Sequence, residues 1–108
     1  MITATPVNFS AVAGKPFSAT VATFTDSNAA ATPASFSATI NWGDATTSTG
    51  TITGNAQPFS VIGSHTYATF GTFTVTVTIS DVPPGTGTAT VTETITVAGP
   101  KPPTLTKP

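Results

Sequence analysis

Ser64-His65-Thr66-Tyr67-Ala68-Thr69-Phe70-Gly71-Thr72-Phe73-Thr74-Val75-Thr76-Val77-Thr78-Ile79-Ser80-Asp81 is the stretch that decides the fold. Phe73, Val75, Val77 and Ile79 alternate without a break with Thr72, Thr74, Thr76, Thr78 and Ser80. Successive side chains of a strand point to opposite faces, so this spacing predicts a β-strand with one apolar and one hydroxyl face. Phe, Val, Ile and Thr also suit a half-buried pleated surface, so residue preference and period agree. Helical geometry would scatter the same apolar residues around the axis.

The same period recurs on either side. Residues 35–42 place Phe36, Ala38, Ile40 and Trp42 on one face. In residues 17–25, Phe17, Ala19 and Val21 share a face but Phe24 falls out of phase. A bulge between Val21 and Phe24 adds one residue and brings both inward. Residues 47–53 form a polar strand with Ile52 as its only large apolar residue, which places it at a sheet edge. Residues 58–63 carry Phe59 and Val61, and residues 88–97 carry Ala89, Val91, Ile95 and Val97. Residues 1–12 read as an irregular or edge strand interrupted by Pro6, which cannot donate to a ladder. Gly14-Lys15-Pro16, Gly43-Asp44-Ala45-Thr46, Gly54-Asn55 and Pro83-Pro84-Gly85 supply the turns. About seven short strands with turn residues between them, and no helix-period segment, predict an all-β, immunoglobulin-like antiparallel β-sandwich over residues 1–98. Residues 99–108 are Pro-rich and read as a semi-rigid linker between modules.

A chain of 108 residues suits one domain with a modest core. Charged residues make up 6 %, against roughly a quarter in ordinary globular proteins. Thr and Ser take their place, hydrating well while favouring strands. No apolar run approaches the ~20 residues of a membrane helix, so membrane insertion is not expected. The net charge is −1 and the only basic residues are Lys15, Lys101 and Lys107. Phosphate binding needs clustered Lys or Arg, so nucleic acid is excluded as a partner, and charge-driven membrane-surface binding with it. The chain has no Cys. Its first residues lack both the basic region and the apolar core of a signal peptide, so an export signal would belong to a longer parent.

Trp42-Gly43-Asp44, then His65-Thr66-Tyr67, then Gly71-Thr72-Phe73-Thr74-Val75-Thr76-Val77 resemble the PKD domain, an immunoglobulin-like module. That family carries a Trp-Gly-Asp-Gly turn, or a longer Trp-x-x-Gly-Asp-Gly form, followed by His-x-Tyr and Gly-x-Tyr-x-Val-x-Val, and the order matches across residues 17–97. Ala45 stands where the family prefers Gly, and Phe73 where it prefers Tyr. The resemblance implies a non-catalytic extracellular or cell-surface module, often in tandem, in large surface proteins and secreted hydrolases of bacteria and archaea. The partners it implies are other domains of the same chain, a surface protein or a polysaccharide, with the module itself a monomer.

Several residues carry alternative readings. His65 with Ser64 or Ser60 and Asp44 contains the residue types of a hydrolytic triad, but no oxyanion site is signalled. The structural reading makes Tyr67 a tyrosine-corner residue with its hydroxyl tied to backbone and His65 packed beside it. Asp44 is expected to accept from the amides of Ala45, Thr46 or Thr47 and pin the turn. Asp26 and Asp81, at the ends of two strands, fall at the same end of an immunoglobulin topology. They would hold Ca²⁺ together or cap their own turns. Glu93 occupies an inward phase, so a bulge that turns it outward or an open sheet edge is expected there. With Lys15 and Asn8 or Asn41 it also supplies the residue types of an isopeptide cross-link. Asn8-Phe9-Ser10 matches the N-glycosylation sequon. Trp42 is expected in the core, and an exposed Phe70 would favour ligand contact. No cofactor is expected beyond that Ca²⁺.

Overall fold

The rows of alternating residues form eight strands in a computed structural model that describes residues 2–28, 30–82 and 87–99. They are β1 (Ile2–Pro6), β2 (Ala11–Val12), β3 (Phe17–Asp26), β4 (Phe36–Asn41), β5 (Thr47–Thr53), β6 (Phe59–His65), β7 (Gly71–Asp81) and β8 (Thr88–Ala98). A single 3-10 turn, Pro33–Ser35, leads into β4. The lateral order is β1-β3-β6-β5-β4-β7-β8-β2. All described pairings are antiparallel except that of β2 with β8.

β7 is central to one layer. It pairs with β4 from Phe36↔Asp81 to Asn41↔Thr76, and with β8 from Gly71↔Val97 to Ser80↔Thr88. Ile40, Val75, Val77, Ile79, Ile95 and Val97 are thereby turned inward and buried. Val21, Phe24, Phe59 and Val61 of β3 and β6 face them from the other layer. Burying each such side chain contributes roughly 1.5–3 kcal/mol, which is why a chain with so little charge needs no disulfide to hold its layers together. The fold is an immunoglobulin-like β-sandwich.

Three local expectations are refined. Residues 2–12 hold two strands: β1 joins β3 in one layer, and β2 joins β8 in the other. Pro6 ends the first, and the chain crosses between layers. The bulge in β3 lies at Val21, where the register slips between Thr20 and Ala22. Both Val21 and Phe24 become buried, as the phase argument requires. β5 is not confined to one edge. Residues 47–50 pair with β4 and residues 51–53 with β6, so it stitches the two layers together. Gly50 sits at the changeover, where a β-carbon would come within 2.6 Å of a Val61 methyl. The Pro83-Pro84-Gly85 turn and the Pro-rich tail from residue 100 lie outside the described residues.

Aromatic rings gather at both ends of the core. Phe24, Phe36 and Phe59 meet at one end, with centroids 4.9–5.9 Å apart. At the other, Trp42 takes the edges or faces of Phe9, Phe17, His65 and Tyr67. Its indole has no exposed surface, so Trp42 is core. Truncating it leaves a cavity between layers that cannot collapse onto one another. Trp42→Ala should therefore cost ~3–5 kcal/mol, much of a typical domain's stability. Thermal melting reads this directly, and a variant melting within a few degrees of the parent contradicts the assignment.

Candidate functional site

The motif residues converge at the Trp42 end. The Trp42 amide donates to Thr46 O at 3.0 Å, closing the turn between β4 and β5. Asn41 Oδ1 accepts from the Gly43 amide at 3.0 Å. Gly43 has φ +84, and a β-carbon there would run into the Thr74 carbonyl of β7, so only glycine fits. Asp44 Oδ1 accepts from the Thr46 amide at 3.2 Å and also from the Thr46 hydroxyl, the Asx-type pinning anticipated for it.

His65, at the end of β6, lies flat on Trp42 with ring centroids 4.7 Å apart and meets Tyr67 edge-on at 4.7 Å. Its Nε2 lies 2.9 Å from Asp44 Oδ2. Burial pushes Asp44 upward, but the hydrogen bonds from Thr46 and His65 and the nearby imidazole charge outweigh it. They hold the carboxyl below its usual range. Tyr67 is buried, and its hydroxyl donates to the Trp42 carbonyl at 2.8 Å. This is the backbone tie expected of it, but it spans to the Trp42 turn instead of closing a corner a few residues upstream. Burial pushes the Tyr67 hydroxyl strongly up, so it stays protonated and keeps donating. The indole Nε1 donates to Ser48 Oγ at 2.8 Å. Phe73 stacks on Tyr67 at 4.6 Å, filling the place where the family prefers Tyr. Gly71 opens β7 opposite Val97.

Chemically, the His65–Asp44 pair acts as a clamp. The Thr46 hydroxyl lies 3.4 Å from His65 Nε2, and it is already engaged with Asp44. Ser64 turns to the outer face, where it bonds Ser18 at 2.8 Å. The structure thus brings His65 and Asp44 together but leaves Ser64 elsewhere. Phe9 and Phe17 belong to the same aromatic cluster, and neither is signalled by a motif.

Asp26 and Asp81 each serve their own turn. Asp26 Oδ2 accepts from the Asn28 amide at 2.9 Å, and that bond holds its carboxyl below the usual range. Asp81 Oδ2 accepts from the Gly87 amide at 3.0 Å. Among the described residues no three His, Cys, Asp or Glu side chains gather as a metal set would. Phe70 is 67 % exposed in the turn before β7, beside Gly99.

Glu93 is where the structure departs furthest from ordinary packing. The β7–β8 register runs through Val75↔Glu93 without a slip, so no bulge turns the side chain outward. Nor is the edge open there: β2 pairs only with Val97 and Ala98, but β1 packs beside β8 and closes over the side chain. Both carboxyl oxygens are shielded from solvent without a hydrogen-bond partner. The Val7 amide, committed to Val21 O at 3.1 Å, offsets only part of this. Burial pushes the acid from its ordinary 4.5 up to about 7. Lys15, Asn8 and Asn41 are all exposed, so the cross-link set does not assemble on Glu93.

Two outcomes follow from this geometry. Ala45 has φ 72, a left-handed conformation costing a non-glycine residue ~1–2 kcal/mol. Ala45→Gly should relieve that strain, less roughly 0.5–1 kcal/mol for added freedom in the unfolded chain. A net gain of about 0.5–1 kcal/mol would raise the melting temperature by a few degrees. An unchanged or lower midpoint would show that Ala45 is not strained. Glu93 has a folded pKa above its unfolded one, so its stabilising contribution is complete below pH 4.5 and is lost as pH rises to about 7. Glu93→Gln should melt higher than the parent at pH 8, with the gap closing towards pH 4, and a pH-independent gap contradicts the burial.

No family model and no curated protein matches the sequence. Among solved structures, the chain is similar to the PKD domain of an M14-like peptidase from Thermoplasmatales archaeon SCGC AB-540-F20. The TM-score is 0.58 at 25 % identity, over 91 % of this chain and 93 % of that one. The likeness to the PKD domain that Trp42-Gly43-Asp44, His65-Thr66-Tyr67 and Gly71 carry in sequence is therefore carried by the whole fold as well.

Proposed function

We propose that residues 1–98 are a non-catalytic, extracellular module of a larger bacterial or archaeal surface or secreted protein, with residues 99–108 as its linker. Its role is that of a folded spacer with a protein-contact or adhesive face. The observation that carries this reading is the use made of its only His. His65 is clamped to Asp44 and laid on buried Trp42, so the residues best suited to acid–base chemistry are spent on holding a turn. The similar structure is itself one domain of a larger protein, which supports a modular context.

A second reading, an accessory substrate-binding domain of a secreted hydrolase, has its own support. The outer faces of β4, β7, β8 and the first half of β5 present Ser37, Thr39, Thr47 and Thr49 with the Thr rows of β7 and β8, free of charge. Exposed Phe70 stands at the end of that face where β7 begins. Passage over chitin, cellulose and immobilised collagen separates the two. The spacer reading expects no retention on any of them. Retention on one polymer, lost in Phe70→Ala with an unchanged melting temperature, establishes the accessory-domain reading instead.

A further inference from the structure

The chain passes from one layer to the other through residues 7–10, between β1 on β3 and β2 on β8. This crossover is pinned at both ends and thinly held between them. Upstream, β1 is laddered to β3 as far as Pro6. Downstream, Phe9 packs on Phe17 and Trp42 with ring centroids 5.5 and 6.1 Å away, and Ala11 pairs with Val97. Among the described residues, the one backbone hydrogen bond that residues 7–10 make runs from the Val7 amide to Val21 O, at 3.1 Å. Asn8 and Ser10 are exposed, and an open cleft of about 420 Å³ lies between residues 8–10 and Thr94 and Thr96 of β8. Beneath this passage β1 packs beside β8, and both Glu93 oxygens are shielded from solvent without a hydrogen-bond partner. The Val7 amide stands near enough to Glu93 to favour its charge, yet it stays bonded to Val21 O.

From the thin anchoring of residues 7–10 and the unpartnered carboxyl beneath them, we propose that this crossover is a strap latched by the proton on Glu93. While the acid is neutral, its dry site costs little and the strap lies seated. Once it is ionised, the carboxylate recovers water only if something that covers it moves. The other walls are fixed. Val75 faces Glu93 within the continuous β7–β8 ladder, Ile95 is buried next to it on the same face, and β1 is held by β3 along its whole length. The strap gives up a single backbone bond when it lifts, so it moves first and the sandwich stays closed. No neighbouring charge takes over the part of Glu93. β1, residues 7–10 and β2 carry no titratable side chain, and Lys15 beyond β2 is exposed. Asp81, the only titratable side chain of β7, is bonded to the Gly87 amide at the far end of the strand. Tyr67, whose titration Glu93 perturbs, stays protonated. Burial pushes the acid from its ordinary 4.5 up to about 7, so the latch is tight below the first value and fully slack above the second.

Amide hydrogen exchange followed by NMR at pH 4.5 and pH 7.5 tests this, with each rate taken relative to that of an unstructured chain at the same pH. Protection of the Val7 amide in the parent should fall on the order of a hundredfold from the lower pH to the higher, because lifting the strap returns the acid to its ordinary pKa. Val61 and Val77 lie in strands paired on both sides and are released only when the whole sandwich opens. They should stay at least ~10-fold better protected than Val7 at both pH values. In Glu93→Gln, and equally in Glu93→Leu, protection of Val7 should be the same at both. A Val7 amide exchanging at the pace of Val61 and Val77 overturns the proposal, since the crossover then opens only with the domain. So does a Val7 protection indifferent to pH in the parent, or a fall that persists in both Glu93 variants and so belongs to another group.

Discussion

The structure depends on one indole held from several sides. Trp42 directly follows β4, yet its ring lies against Gly63 of β6, where an added β-carbon would approach it to 2.8 Å. Its amide closes the turn with Thr46, its carbonyl receives the Tyr67 hydroxyl, and its Nε1 reaches Ser48. A buried aromatic with its polar atoms unmet would weaken the core, because each orphaned group keeps its desolvation cost. With all of them met, the same residue fixes the spacing of the layers and the path of the turn at once. His65 then covers the indole face and joins it to Asp44, so the clamp at the rim and the core beneath form one unit.

That unit accounts for how the chain tolerates departures from the PKD pattern. Phe73 in place of Tyr keeps the stacking partner of Tyr67 and loses only a hydroxyl. Ala45 in place of Gly holds a positive φ, and the bonds from Asp44 to Thr46 on either side keep it there. Strain of this kind persists only where the surroundings over-determine the backbone. Here they do, through the Trp42–Thr46 closure and the collision that any side chain at Gly43 would meet.

The chain's scarce charge is not all on the outside. Glu93 is the only charged residue of β8, and it points the unusual way, into the sandwich. An inward carboxylate weakens the sandwich, because burial takes water from it and supplies no hydrogen-bond partner in return.

The strands were legible because alternation is a local property. Phe73 to Ile79 and Phe36 to Trp42 could face the core in only one register, and even the bulge near Val21 was visible as a phase error ahead of Phe24. The motifs in order also located the Trp42 turn and the His-x-Tyr segment that packs on it. What the sequence could not contain is proximity. The bond between His65 and Asp44, the reach of Tyr67 to the Trp42 carbonyl and the arrival of Phe9 and Phe17 at the indole join residues far apart along the chain. The division of β5 between two layers and the shortness of β2 are likewise outcomes of three-dimensional closure. Period-two spacing determines which face of each strand seeks the interior. Only the meeting of the layers decides which strands share a ladder, which edges close over one another, and which side chain is caught between them.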